Sequence, residues 1–213
     1  MRDQKHFEFV TNVTFTPRQR YSVYKNAKVS RGSDWPTFGL TWKHGINEFS
    51  ELTDKYKDFD LIMADASRYS NIGIAGNLRC RIVSGGFLNN KYVNWYDFVH
   101  FNAQPLPILI DNYHDAFRLP AYYSMATPEF FGEVNLNYST PYLLLKYIPG
   151  FSKTLARENL SLSYLGTRYH SHYTEIGYSI TQLFLIGEAG VYVGFDNLKY
   201  RSAGARVVLK IGR

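Results

Sequence analysis

Hydrophobic and polar residues alternate through most of this chain, the pattern of extended strands whose two faces meet different surroundings. In the first segment Phe7, Phe9, Thr11, Val13 and Phe15 share one parity, and His6, Glu8, Asn12 and Thr14 share the other. The alternation returns with Phe38, Leu40, Trp42 and Ile46 set against Thr37, Gly39, Thr41 and Lys43. Further on, Phe130, Val134, Leu136 and Tyr138 oppose Glu129, Glu133, Asn135 and Asn137. Leu160, Leu162 and Tyr164 then oppose Asn159, Ser161 and Ser163, and Ile176, Tyr178 and Ile180 oppose Glu175, Gly177 and Ser179. The last run sets Ala205, Val207, Leu209 and Ile211 against Gly204, Arg206, Val208 and Lys210. Two segments alternate less cleanly, Leu78–Cys80–Ile82 against Arg79 and Arg81, and Gly187 to Phe195 against Glu188, Gly190 and Tyr192. Phe59 to Tyr69, broken by Asp60, Asp65 and Arg68, is a strand by context only. The pattern predicts an all-β chain of about nine up-and-down antiparallel strands in a single domain spanning residues 1–213.

The connections fall into two sizes. Short ones are expected at Asn71 to Gly76, His170 to His172 and Thr181 to Leu183. Long ones are expected at Pro17 to Pro36, Asn47 to Lys57, Asn89 to Thr127 and Thr140 to Ala156. The longest is rich in aromatics (Trp95, Tyr96, Phe98, Phe101, Tyr113, Phe117) between Pro105, Pro107 and Pro120. A structureless loop of that length is out of place in a compact soluble domain but ordinary on a barrel rim, where it folds over the mouth.

Several runs reach the ~9–11 residues a tilted strand needs to cross a bilayer, whereas soluble strands average ~5–6. The polar parity carries full charges at mid-strand, which a transmembrane barrel places in its lumen and a soluble sandwich exposes to water. Composition agrees with a barrel: 18 Tyr and 15 Phe coexist with a mean hydropathy of −0.28. No stretch approaches the ~20 apolar residues of a membrane helix, the best candidate, Leu106 to Ile110, being interrupted by Pro107. The opening Met1-Arg2-Asp3-Gln4-Lys5 has no apolar signal region, so Met1 is expected to be internal to a longer protein.

The charged residues of the polar parity are the candidate lumen wall: Glu8, Lys43, Arg79, Arg81, Glu129, Glu133, Glu175, Glu188, Arg206 and Lys210. Mixed signs on facing strands would brace the interior as ion pairs, or tune a pore. No catalytic, cofactor or metal site is expected. His170, Ser171 and His172 read as a polar hairpin tip before a metal pair, and no G-x-S-x-G or phosphate loop is present. Lone Cys80 excludes an internal disulfide. The net charge of +6 is scattered, so nucleic acid is not expected as a partner. Pro141 to Pro149 is apolar without alternation and reads either as a turn in the headgroup layer or as a buried turn.

The stretches WPTFGLTWKHGI (35–46), SRYSNIGIAGNLRCRIVSGGFLNNKYVNWYDFVHFNAQ (67–104), TPYLLLKYIPGFSKTLARENLSLSYLG (140–166) and YTEIGYSI (173–180) occur in this order. Together they resemble the C-terminal barrel of a Bacteroidota outer-membrane family of unknown function. That family carries an N-terminal carboxypeptidase-regulatory-like domain, and its barrel is distantly similar to the surface-antigen and assembly-factor barrels. The resemblance implies a non-enzymatic protein of the bacterial outer membrane that assists export, assembly or surface display, the alternative being a passive or substrate-selective pore. It also implies that the chain is a fragment. The partners would be outer-membrane lipid, the missing N-terminal strands and domains, and other outer-membrane or periplasmic proteins. The chain ends on Gly212-Arg213 where barrel assembly signals end on an aromatic, and it has no counterpart of the assembly barrels' lid-loop arginine motif.

Overall fold

The structure is a computed structural model and describes residues 5–25, 27–48, 57–91, 93–109, 115–141, 143–149, 154–168, 172–183 and 187–209. The nine expected segments all form strands: β1 (Lys5–Phe15), β4 (Thr37–Glu48), β5 (Lys57–Asn71), β6 (Asn77–Asn89), β8 (Phe131–Thr140), β9 (Arg157–Thr167), β10 (Tyr173–Leu183), β11 (Gly187–Asp196) and β12 (Lys199–Leu209). The described residues nevertheless hold twelve strands. Two long connections contribute short strands of their own: β2 (Tyr21–Tyr24) pairs with β3 (Ala27–Ser30) as a separate hairpin, and β7 is Ile108–Leu109. Only three single 3-10 turns interrupt the β structure among the described residues.

Ten strands join one sheet in the order β1-β4-β5-β6-β8-β9-β10-β11-β12-β7, antiparallel except for β7 against β12. Among the described residues β1 pairs only with β4, so no hydrogen bonds close the sheet into a barrel. Two local expectations fail. Thr181 to Leu183 are the last residues of β10, which continues past Thr181 through a register shift at Gln182 (φ 59°). Glu129 precedes β8 instead of lying in it. The ambiguous Phe59 segment is the longest strand, of 15 residues, because both its neighbours, β4 and β6, pair along nearly its whole length. Lys210 lies outside the described residues.

One row across the sheet runs Leu136, Leu162, Ile176, Val193 and Ala203; the row beside it, on the opposite face, runs Asn135, Ser163, Glu175, Gly194 and Ser202. The polar face is the covered one. The segment from Val93 to Phe130 crosses it, seating Phe117, Met125 and Phe101 against Leu165 and Tyr173. A second cluster packs Val93 and Val99 against Phe59, Leu61 and Phe87. Only small wall residues let this segment approach so closely: a Cβ on Gly204 would lie 2.8 Å from Leu119, and one on Gly194 3.2 Å from the same side chain.

Two connections show why the chain turns where it does. Gly76 closes the β5–β6 turn at φ +119°, and a Cβ there would run into the Ser139 carbonyl. Asn197 and Leu198 join β11 to β12 with positive φ at both residues (50° and 63°), as a primed hairpin turn requires. Asn tolerates that conformation, whereas Leu is strained in it. Leu198→Gly is therefore expected to stabilise the protein by about 1 kcal/mol, read as an increased urea midpoint with an unchanged slope.

Candidate functional site

The register assigns the expected lumen residues to faces. Glu8, Lys43, Arg79, Arg81, Glu133, Glu175, Glu188 and Arg206 all lie on the polar face, with Val134, Leu162 and Ile176 on the other. Glu129 sits at the rim, 3.4 Å from Arg168.

Among the described residues, a pair of the expected wall forms where Lys43 Nζ lies 2.8 Å from Glu8. Elsewhere the charges are met by other means. The Glu133 carboxylate accepts from Asn135 Nδ2 at 2.5 Å. Arg206 donates through Nη2 to Gln104 Oε1 at 2.6 Å, and its Nε and Nη1 are buried without a hydrogen bond. Glu188 is buried opposite Thr181 and Val208. Arg79 lies 6.0 Å from the Tyr69 ring.

Glu175 does the most to hold the crossing segment. Its carboxylate accepts the backbone N–H of Arg118 at 2.8 Å, that of Leu119 at 3.0 Å and the Tyr173 hydroxyl at 2.9 Å. A carboxylate is acceptor-only and can satisfy several amides at once, so one side chain pins a non-strand backbone to a strand. Phe117, next in the chain, stacks edge-on with Tyr173 at 5.7 Å.

Glu158 performs the same task on the opposite face, and the alternation offers a clue to it: it is a carboxylate in phase with Leu160 and Leu162. It is fully buried because Leu143, Leu144 and Leu145 donate their backbone N–H groups to it at 2.8–3.1 Å and Tyr178 donates its hydroxyl at 2.6 Å. These bonds fold the Pro141–Pro149 segment against the outside of the sheet. Leu145 is buried there while Leu144, Tyr147 and Ile148 stay exposed, so the segment is not the plain buried turn of the two expected forms.

Metal-like constellations are modest. His170 and Ser171 lie outside the described residues, and His172 Nδ1 is 2.7 Å from the Tyr164 hydroxyl with the two rings stacked. His44, Asp58 and Asp60 bring potential ligand atoms within 4.8 Å of one another. Asp60 Oδ1, however, already accepts from the Trp42 indole at 3.0 Å and lies 2.9 Å from His44 Nδ1. Two polar cavities remain under the crossing segment. One of about 260 Å³ is walled by Asn, Ser and Thr side chains of β8 to β10, and one of about 720 Å³ lies at the end of the sheet where β5 passes into β6.

Removing the Glu175 carboxylate strands two buried amides. Glu175→Ala is expected to destabilise the protein by about 2–3 kcal/mol, with amide exchange at Arg118 and Leu119 accelerating ahead of that in the surrounding strands. Uniform acceleration throughout the sheet would show instead that the crossing segment does not open separately.

Neither a curated protein nor a solved structure matches the chain. A model of the C-terminal domain of a family of unknown function, DUF5686, matches residues 1–180. The chain therefore belongs to that family, and the polar-walled sheet with its crossing segment is this member's form of the C-terminal domain.

Proposed function

We propose that the sheet is the C-terminal part of a transmembrane barrel of the bacterial outer membrane, closed by further strands of the same protein. One observation carries this reading: the faces are inverted relative to a water-soluble sheet. Ile176 is 51% exposed and Leu162 38%, while their neighbours Glu175, Ser163 and Asn135 on the other face are 3%, 7% and 4% exposed. Leaving a Leu or Ile side chain in water forgoes about 1.5–3 kcal/mol each, and the sheet presents a whole face of them. Lipid removes that cost. No helix among the described residues is long and apolar enough to cross a membrane, a point that does not bear on strands.

Within that frame the protein serves export, assembly or surface display without catalysing a reaction. The crossing segment supports this over the pore reading. It fills the polar side with Phe117, Met125, Val93 and Val99, and Glu175 and Arg206 fasten it to the wall. A pore would need the segment to leave.

Orientation follows from the lengths of the connections. Outer-membrane barrels have short periplasmic turns and longer outer loops. The turn at residues 72–76 leaves the same end of the sheet as the last residues of β12, whereas the 90–130 segment and the Asn197–Leu198 turn leave the other. The first end faces the periplasm. That assignment also puts the β2–β3 hairpin and the Pro141–Pro149 segment there.

Two outcomes check the reading. Ile176→Arg is expected to cost about 2–4 kcal/mol in a vesicle folding assay, whereas on a water-exposed face it changes stability by about 0.5 kcal/mol or less. In intact cells a cysteine replacing Leu198 is expected to react with an impermeant maleimide and one replacing Ile74 to be protected; the reverse pattern inverts the orientation.

A further inference from the structure

The cavity of about 720 Å³ is the least expected feature of the polar face, because arginines outnumber carboxylates on its border. Arg79 and Arg81 project into it from alternate positions of β6, and Arg20 and Arg31 close it from the connection that carries the β2–β3 hairpin. Arg68 borders it too, although its register opposite Cys80 puts its side chain on the other face. Two carboxylates, Asp34 and Asp115, share the border. Asp34 is taken up by an ion pair with Arg20. Asp115 forms no ion pair with an arginine of the cavity among the described residues. Arg31, Arg79 and Arg81 therefore have no carboxylate in contact among the described residues. Arg79 has only the face of Tyr69.

Arg31 is exposed and Arg79 and Arg81 are half-buried. Three guanidinium groups bordering one open space without an ion pair among the described residues make that space strongly positive, which suits an anion. The hydrogen-bond chemistry narrows the class. Arginine forks match the tetrahedral oxygens of phosphate, and a phosphate monoester carries about −1.5 to −2 charge at neutral pH. A single carboxylate would leave two of the three cations unmatched. The volume lies within the ~300–1,000 Å³ of small-molecule sites and far exceeds the needs of a bare ion. Trp35 and Tyr69 supply aromatic surface for the organic part of the ligand.

We propose that this cavity binds a phosphate monoester through Arg31, Arg79 and Arg81, the phosphate belonging to a soluble ester or to a lipid headgroup. The cavity exists whether or not the sheet spans a membrane, so the site and the membrane reading stand or fall separately.

Trp35 provides the readout. In the full-length, detergent-solubilised protein, glycerol 1-phosphate should change the tryptophan emission saturably at constant ionic strength, and the change should be lost with Trp35→Phe. Micelles doped with phosphatidic acid form a parallel arm against undoped phosphatidylcholine. A response to the ester alone assigns a soluble ligand, and a response to the doped micelles alone assigns a headgroup. Arg79→Gln should weaken binding by about tenfold or more, with Arg79→Lys intermediate because it keeps the charge but loses the fork. Arg31→Gln, in the exposed hairpin connection where folding is not at stake, should do the same. Titrations in both arms indistinguishable from sodium chloride, or affinities unmoved by Arg31→Gln and Arg79→Gln, overturn the site.

Discussion

A strand has two faces and a short chain can cover only one of them. Everything else in this structure follows from which face is covered. In β8 to β12 the chain spends its longest connection on the side of Asn135, Ser163 and Glu175, leaving Leu162, Ile176 and Val207 outside. Hydrophobic burial in water would make the opposite choice. The covered side is accordingly held together by directed bonds more than by apolar packing. Its two apolar clusters are small, and between them the wall is amide, hydroxyl and guanidinium.

Directed bonding explains why two carboxylates matter more than the rest of the charged inventory. Glu175 inside and Glu158 outside each gather backbone amides from a segment that has no strand partner. An unpaired buried amide is costly, and a connection laid across a sheet has many of them. Gly194 and Gly204, diagonal neighbours on adjacent strands, then allow Leu119 to settle close to the wall beside the amides that Glu175 holds. Charge, small residues and one leucine make a single fastening.

Much of this was legible in the sequence, because period-two alternation reports a strand's faces directly. The nine long strands and the common face of Glu8, Lys43, Arg79, Arg81, Glu133, Glu175, Glu188 and Arg206 follow from it. What the pattern could not convey is partnership. Nothing local in the sequence says that Glu175 meets Arg118, 57 positions away, or that Arg206 meets Gln104, 102 away. The short strands were hidden for a related reason. A two-residue strand such as Ile108–Leu109 has no period to detect, and the β2–β3 hairpin has four residues a side, nearly all exposed. Glu158 was readable as an anomaly, a charge in the apolar phase, but its purpose appears only when the 143–145 amides fold back onto it.

Ile108–Leu109 also bears on how the sheet ends. An edge strand presents a row of free donors and acceptors, which is tolerable in water and costly in a dry environment. The edge of β12 is partly occupied: Ile108 and Leu109 lie parallel to Val207 and Val208, and Val207 donates its N–H to the Pro107 carbonyl at 2.8 Å. The donors of this patch are few because Pro105 and Pro107 bring none of their own. Parallel pairing over two residues is weak beside the ten-residue antiparallel ladder between β11 and β12. It masks the end of the strand without competing seriously with a full antiparallel neighbour. Among the described residues β1 has no such cover, and Val10, on the face that β8 to β12 keep buried, is 52% exposed. The two edges are thus unequal: one is masked by a short segment that can yield, and the other meets no strand but β4 among the described residues.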